Sequence, residues 1–185
     1  MRSAGGLALS LALVACDRQA PRPEATFNED QSVAELALNP KPDSADARWG
    51  VGTDGKGIHF GKPAATPLLS LTCQPGKDNA APQLTVIRHA RSEPGAKALF
   101  AVLGNGIVSR LKVDAALADK EGWRWEGHYP ASAPELDVFT GPRDVDATLP
   151  GGGELHIGGS GLPREFIEWC RRNGVERKAT SPVPG

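Results

Sequence analysis

Four histidines, His59, His89, His128 and His156, are the side chains of this 185-residue chain best suited to carry protons or bind a metal near neutral pH. Three sit in alternating patterns: His59 between Ile58 and Phe60, His156 between Leu155 and Ile157, and His128 in step with Arg124 and Glu126. On a strand this alternation turns the apolar neighbours inward and these imidazoles to solvent. If the strands were adjacent, the imidazoles and nearby carboxylates could meet on an outer face, as a hydrolytic or metal-dependent site requires. The spacings that mark a metal site in sequence, His-x-His or His-x-x-x-His, do not occur, and no cofactor is expected. Ser160, in Gly158-Gly159-Ser160-Gly161, invites comparison with a nucleophile elbow, but Gly-x-Ser-x-Gly would need glycine where Leu162 stands. Gly151-Gly152-Gly153 is no phosphate cradle, because a strand pattern follows it and no Lys-Ser/Thr opens a helix; a mobile loop is expected. No residue is assigned a catalytic role. Trp123, Trp125 and Tyr129 share one parity opposite Arg124, Glu126 and His128. They are a candidate surface for stacking sugar rings, although period-two aromatics opposite charges fit the core face of a strand better.

The elements that must position these groups follow from composition and period. With 22 glycines and 16 prolines, roughly a fifth of the chain is turn-forming, which favours many short strands. Trp49 and Val51 face Ile58 and Phe60 across Asp54-Gly55, a hairpin signal, and the domain begins near Trp49. Leu69, Leu71 and Cys73 share one parity of the next strand and turn the cysteine inward, and 83–88 alternates through Leu84 and Val86. Leu99 to Leu103 and Ile107 to Val113 flank Asn105-Gly106, the best hairpin in the chain; the first strand is apolar on both parities and reads as central. Further strands fall at 122–129 and 154–158. Ser132-Ala133-Pro134-Glu135 has the form of a helix N-terminus with Ser132 as cap, ended by Gly141-Pro142. Pro163 opens the most secure helix, with Phe166, Ile167 and Cys170 on its inner face. The expected fold is mainly β, a sandwich or small open barrel of about seven strands, with a C-terminal helix and one short additional helix.

The N-terminus carries an address. Arg2 precedes an apolar run, Leu7 to Val14, too short to span a bilayer, and Leu13-Val14-Ala15-Cys16 closes it. This sequence resembles the lipobox of bacterial lipoproteins, which implies cleavage before Cys16 by signal peptidase II and acylation of the new first residue. About three acyl chains follow, and since two already hold a protein firmly, the membrane is an expected partner through this anchor. Asp17 resembles the signal that retains enterobacterial lipoproteins in the inner membrane. Residues 1–15 are then the signal peptide, and 16–47, with Pro21, Pro23, Pro40 and Pro42, a flexible tether interrupted by a short helix after Ser32-Val33-Ala34-Glu35. Residues 48–174 form one β-rich domain and 175–185 a disordered tail. Once Cys16 is lipidated, Cys73 and Cys170 remain as an even pair in an oxidising compartment, and a disulfide between them is expected. Closing a loop of about 97 residues stabilises by on the order of 4 to 5 kcal/mol in the chain-entropy model.

Loss of Arg2 moves the net charge from −1 to about −2, and no Lys/Arg cluster follows one face, which excludes a nucleic-acid partner. The leading expectation is a lipid-anchored, non-enzymatic envelope protein with its domain in the periplasm, binding an envelope protein or peptidoglycan. Cys73, Cys170 and the strand-rich region between them are similar to the membrane-bound lysozyme inhibitors, small β-barrels, which implies inhibition of lysozyme as an alternative. Their inhibitory Ser-Gly loop with its nearby tyrosine has no match here. A further alternative is an envelope hydrolase or metal-dependent enzyme using His59, His128 or His156.

Overall fold

The computed structural model describes residues 42–78, 80–118 and 122–175. The expected signal peptide, Cys16, Asp17, the helix expected after Ser32 and nearly all of the expected C-terminal tail lie outside the described residues. Nine strands are present among those described: β1 (Arg48–Val51), β2 (Gly57–Gly61), β3 (Leu69–Gln74), β4 (Gln83–Arg88), β5 (Lys97–Gly104), β6 (Ile107–Ala118), β7 (Gly122–Pro130), β8 (Val145–Leu149) and β9 (Gly153–Ile157). A 3-10 helix spans Pro134–Phe139 and one α-helix, α1, spans Leu162–Arg171.

The strands form one antiparallel sheet in the order β1-β2-β3-β4-β7-β6-β5-β8-β9, curled into a nearly closed barrel. Two meanders and a final hairpin are thus joined by only two non-sequential pairings, β4 with β7 and β5 with β8. The sequence expectation of about seven strands falls short chiefly at β8. Val145, Ala147 and Leu149 do alternate inward there, but Asp146 and Ala147 are poor strand formers and Pro142 and Pro150 flank the segment. The Asn105-Gly106 hairpin forms as expected, with φ of 53° and 80° and Gly104 paired to Ile107. β5 is central in its hydrogen bonding, yet its second apolar parity is not covered: Leu99 and Leu103 remain 49% and 46% exposed on the outer face.

The register places both ends of the barrel. The end of β3, the start of β4 and the β5–β6 turn lie at one end, and α1 and the 3-10 helix close it. Phe166, Ile167 and Cys170 point into the core from α1, and Cys170 is bonded to Cys73 at the end of β3. The 3-10 helix begins after Ala133, not at Ser132, and no side chain caps it; Pro134 opens a tighter three-residue winding one position later than expected. Asn105 Nδ2 donates to Val138 O (2.9 Å) and Ser109 Oγ to Glu135 O (2.7 Å), which ties this helix to β5 and β6. The opposite end is sealed by Arg88, whose Nη1 donates to Leu68 O (2.8 Å) and Nη2 to Gly152 O (2.9 Å). Between these ends Phe60, Leu69, Leu71, Leu84, Phe100 and Leu111 fill the interior. Residues 42–47, which the sequence assigns to the tether, touch the barrel: Asp43 pairs with Lys62, and Ala47 packs against the core.

Candidate functional site

His59 projects from the outer face of β2, as its alternation predicts, but it is half-buried. The β2–β3 register sets it directly opposite Ser70, and its Nδ1 lies 2.8 Å from Ser70 Oγ. The same hydroxyl lies 2.7 Å from His89 Nε2, just beyond β4. Ser70 is 1% exposed, so its oxygen is shared between two imidazoles and withheld from solvent. A hydroxyl offers one proton and two lone pairs, hence one of the two contacts receives the serine proton and the other donates to the oxygen when both rings are neutral. His59 Nε2 has no partner among the described residues. Gly52 and Gly57 make room for the ring, since a Cβ on Gly52 would come within 2.7 Å of Nε2.

Beside His59 opens a hollow of about 410 Å³ whose lining includes Arg48, Trp49, Gly50, Gly61, Lys62 and Pro67, and no carboxylate. The register explains its shape: Gly50 faces His59, and Arg48 faces Gly61, so bare backbone lies on the parity that elsewhere carries side chains. A Cβ on Gly50 would meet nothing within 4 Å. Trp49, on the opposite parity, stacks obliquely on Phe60 with ring centroids 5.5 Å apart. Arg48 is exposed and has no partner among the described residues. Lys62 is paired to Asp43, whose carboxyl is held below its ordinary range by that hydrogen bond.

A second cluster surrounds His156 on β9. Its Nδ1 lies 2.8 Å from Asp146 Oδ1 and its Nε2 3.4 Å from Asp144 Oδ2. The hydrogen bond to Asp146 raises its pKa above the ordinary histidine value. His156, Asp146 and Glu154 share a cavity of about 400 Å³ with Pro42 and Ser44. His128 is exposed, with Nδ1 3.0 Å from Thr85 Oγ1 and Nε2 3.8 Å from Glu126 Oε2. The histidines therefore do not gather in one place, although His59 and His89 share Ser70 Oγ as a bonding atom.

The other sequence candidates have structural positions. Ser160 Oγ accepts from Leu162 N (3.2 Å) in the turn that leads into α1. Residues 151–153 form the turn between β8 and β9, where Gly152 O accepts from Arg88 and Gly151 and Gly153 adopt φ of 74° and 70°. Trp125 lies in the core, its Nε1 donating to Arg91 O (3.3 Å); Trp123 and Tyr129 are half-buried, and Tyr129 packs against that core. The union of Ser70 with His89, and the role of Arg88, escaped the sequence reading. Ser70 and His89 acquire their relation only through the pairing of β2, β3 and β4. Arg88, by contrast, shares the inward parity of Leu84 and Val86, and that parity was the available signal.

Compared with known proteins, the chain matches no family model, no curated protein and no solved structure. What the geometry defines is a filled antiparallel barrel with a helix stapled over one end, an arginine across the other, and polar groups collected in outer hollows.

Proposed function

We propose that this chain is a lipid-anchored protein of the bacterial inner membrane, acylated at Cys16, whose periplasmic barrel is non-enzymatic and binds a protein partner or cell-wall component on its outer surface. The observation that carries this reading is the filled interior. Small barrels that transport a ligand keep room inside, whereas here aromatic and aliphatic side chains occupy that space and a ligand must be met from outside. The two serines nearest to a catalytic context also support binding over hydrolysis: Ser70 is buried between imidazoles, and Ser160 accepts a backbone bond. A second reading has its own observation. His156, Asp146 and Glu154 share one cavity, an arrangement that an acid–base catalyst of the envelope could use.

The test combines anchoring with binding. The wild-type chain, expressed in a bacterium, is expected to incorporate labelled palmitate and fractionate with the inner membrane, and Cys16→Ser to lose the label. The purified Cys16→Ser chain is expected to co-sediment with isolated peptidoglycan sacculi without degrading them. Palmitate incorporation that persists in Cys16→Ser would overturn the anchor. Release of soluble fragments from the sacculi, abolished by His156→Gln, would favour the catalytic reading instead. Inhibition of lysozyme at micromolar concentration would identify the partner as that enzyme.

A further inference from the structure

We infer that the hollow beside His59 is an oxyanion-binding site, taking a phosphate or carboxylate carried on a small body, with Arg48 as the charge partner and His59 Nε2–H as the directional donor. The inference rests on the surface-binding reading above and gives it a chemistry, but it does not depend on the lipid anchor. A volume of about 410 Å³ lies in the range of small-molecule sites. Its charged lining is entirely cationic. Lys62 is already matched by Asp43, which leaves the Arg48 guanidinium, a fork of donors suited to two oxygens of one oxyanion, as the uncompensated charge. The one acid on this hairpin, Asp54, accepts from Lys56 N (3.0 Å); its Oδ1 flanks Gly52 near His59 Nε2, but it does not line the hollow.

The buried hydroxyl behind His59 sets the direction of its donor. When His89 Nε2–H donates to Ser70 Oγ, the serine proton is directed to His59 Nδ1. His59 then carries its own proton on Nε2, the nitrogen with no partner among the described residues. In the reverse orientation His59 Nδ1–H donates to Ser70, Ser70 donates to His89, and Nε2 becomes an acceptor that repels an anion. An oxyanion therefore selects one of two orientations of the His89–Ser70–His59 chain, and the selection is visible in the His59 tautomer. The bare backbone at Gly50 and Gly61 gives the ligand body a floor, and Pro67 supplies an apolar wall.

The experiment follows the histidine ring nitrogens by NMR in the full mature chain carrying Cys16→Ser, during titration with inorganic phosphate, N-acetylglucosamine 1-phosphate, N-acetylmuramic acid and neutral N-acetylglucosamine. Saturable shifts at His59, with Nε2 protonated in the bound state, are expected for the anionic probes and not for the neutral sugar. Phosphate-bearing probes that outcompete the carboxylate would assign the source as phosphate, and the reverse order would assign carboxylate. Arg48→Gln is expected to weaken binding at least about tenfold, a difference of 1.4 kcal/mol. Ser70→Ala is expected to weaken it less and to abolish the tautomer selection, which a purely structural serine would not do. No shift at His59 up to about 20 mM probe, in the millimolar range of weak binding, would overturn the site. Equal shifts with neutral sugar, or affinity unchanged in Arg48→Gln, would do the same. If the site fails while sacculi still sediment the protein, the surface-binding reading survives and the hollow does not.

Discussion

Tyr129 shows how one side chain can be fixed from both sides of the sheet register. Its ring lies over Gly127, where a Cβ would come within 2.9 Å of Cε2, and its hydroxyl donates to Lys112 O at 2.6 Å. Burial disfavours the phenolate first, the negative charge of Glu135 adds to that, and the pKa is pushed up to about 12. Between about pH 10, where the unfolded phenol ionises, and 12, the folded chain keeps a proton that the unfolded chain has lost. Stability therefore falls as pH rises through that window. Because the chain has a single tyrosine, the ultraviolet absorbance of phenolate reports this residue alone. A native midpoint near 12 moving to near 10 in concentrated urea is expected; a native midpoint near 10 would mean that the ring is not held against Gly127. The inward place of Trp125 was legible, since it alternates with the charges of Arg124 and Glu126, while Trp123 and Tyr129 on the same parity remain half-buried. The union of Ser70 with His59 and His89 was not, because it needs the register of three strands and no local pattern encodes it.

At the level of elements, Asn105 performs two tasks that sequence reading separates. The Asn-Gly step was legible as a primed hairpin turn, and a φ of 53° at Asn105 is the geometry that such a turn requires. Its side chain does more than permit this conformation. Nδ2 donates to Val138 O and Oδ1 accepts from Arg143 N (3.1 Å), so the turn also fastens the 3-10 helix and the approach to β8 across the end of the barrel. Asn105→Gly keeps the backbone conformation and removes these two bonds; Asn105→Ala loses both functions. Chemical denaturation is expected to rank them, with losses of about 1 to 2 kcal/mol for glycine and a further loss of up to about 1 kcal/mol for alanine. Equal stability of Asn105→Gly and wild type would show that the turn alone matters. This coupling also explains why β8 was harder to read than its neighbours. Its five residues are held as much by β5, β9 and this tethered connection as by their own propensity.

For the whole molecule, the question is how a sheet with two free edges closes around a filled apolar interior. At one end the solution is covalent, with Cys73–Cys170 pinning α1 to β3. At the other it is a buried cation. Among the described residues no carboxylate is bonded to Arg88; it reaches from β4 to the carbonyl before β3 and to the β8–β9 turn, linking distant parts of the sheet, while its Nε has no partner among them. Desolvation lowers its pKa to about 10, equivalent to about 3 kcal/mol of unfavourable burial. Two charge-assisted bonds, at about 1.5 to 3 kcal/mol each, are of the size needed to offset it. Burial of this charge is therefore close to neutral for overall stability, and its effect lies in fixing where the β8–β9 turn sits. Arg88→Met, which keeps much of the volume and removes the charge, is expected to change global stability by less than about 2 kcal/mol. Amide hydrogen exchange across Gly153–Ile157 is nevertheless expected to accelerate at least about tenfold relative to β3, because the turn loses its hold. Arg88→Lys should behave like Arg88→Met in exchange, since one ammonium on a flexible stem does not reproduce the fork that spans both carbonyls. Uniform protection of all strands in both variants would show instead that packing, not the two bonds, holds this end of the barrel shut.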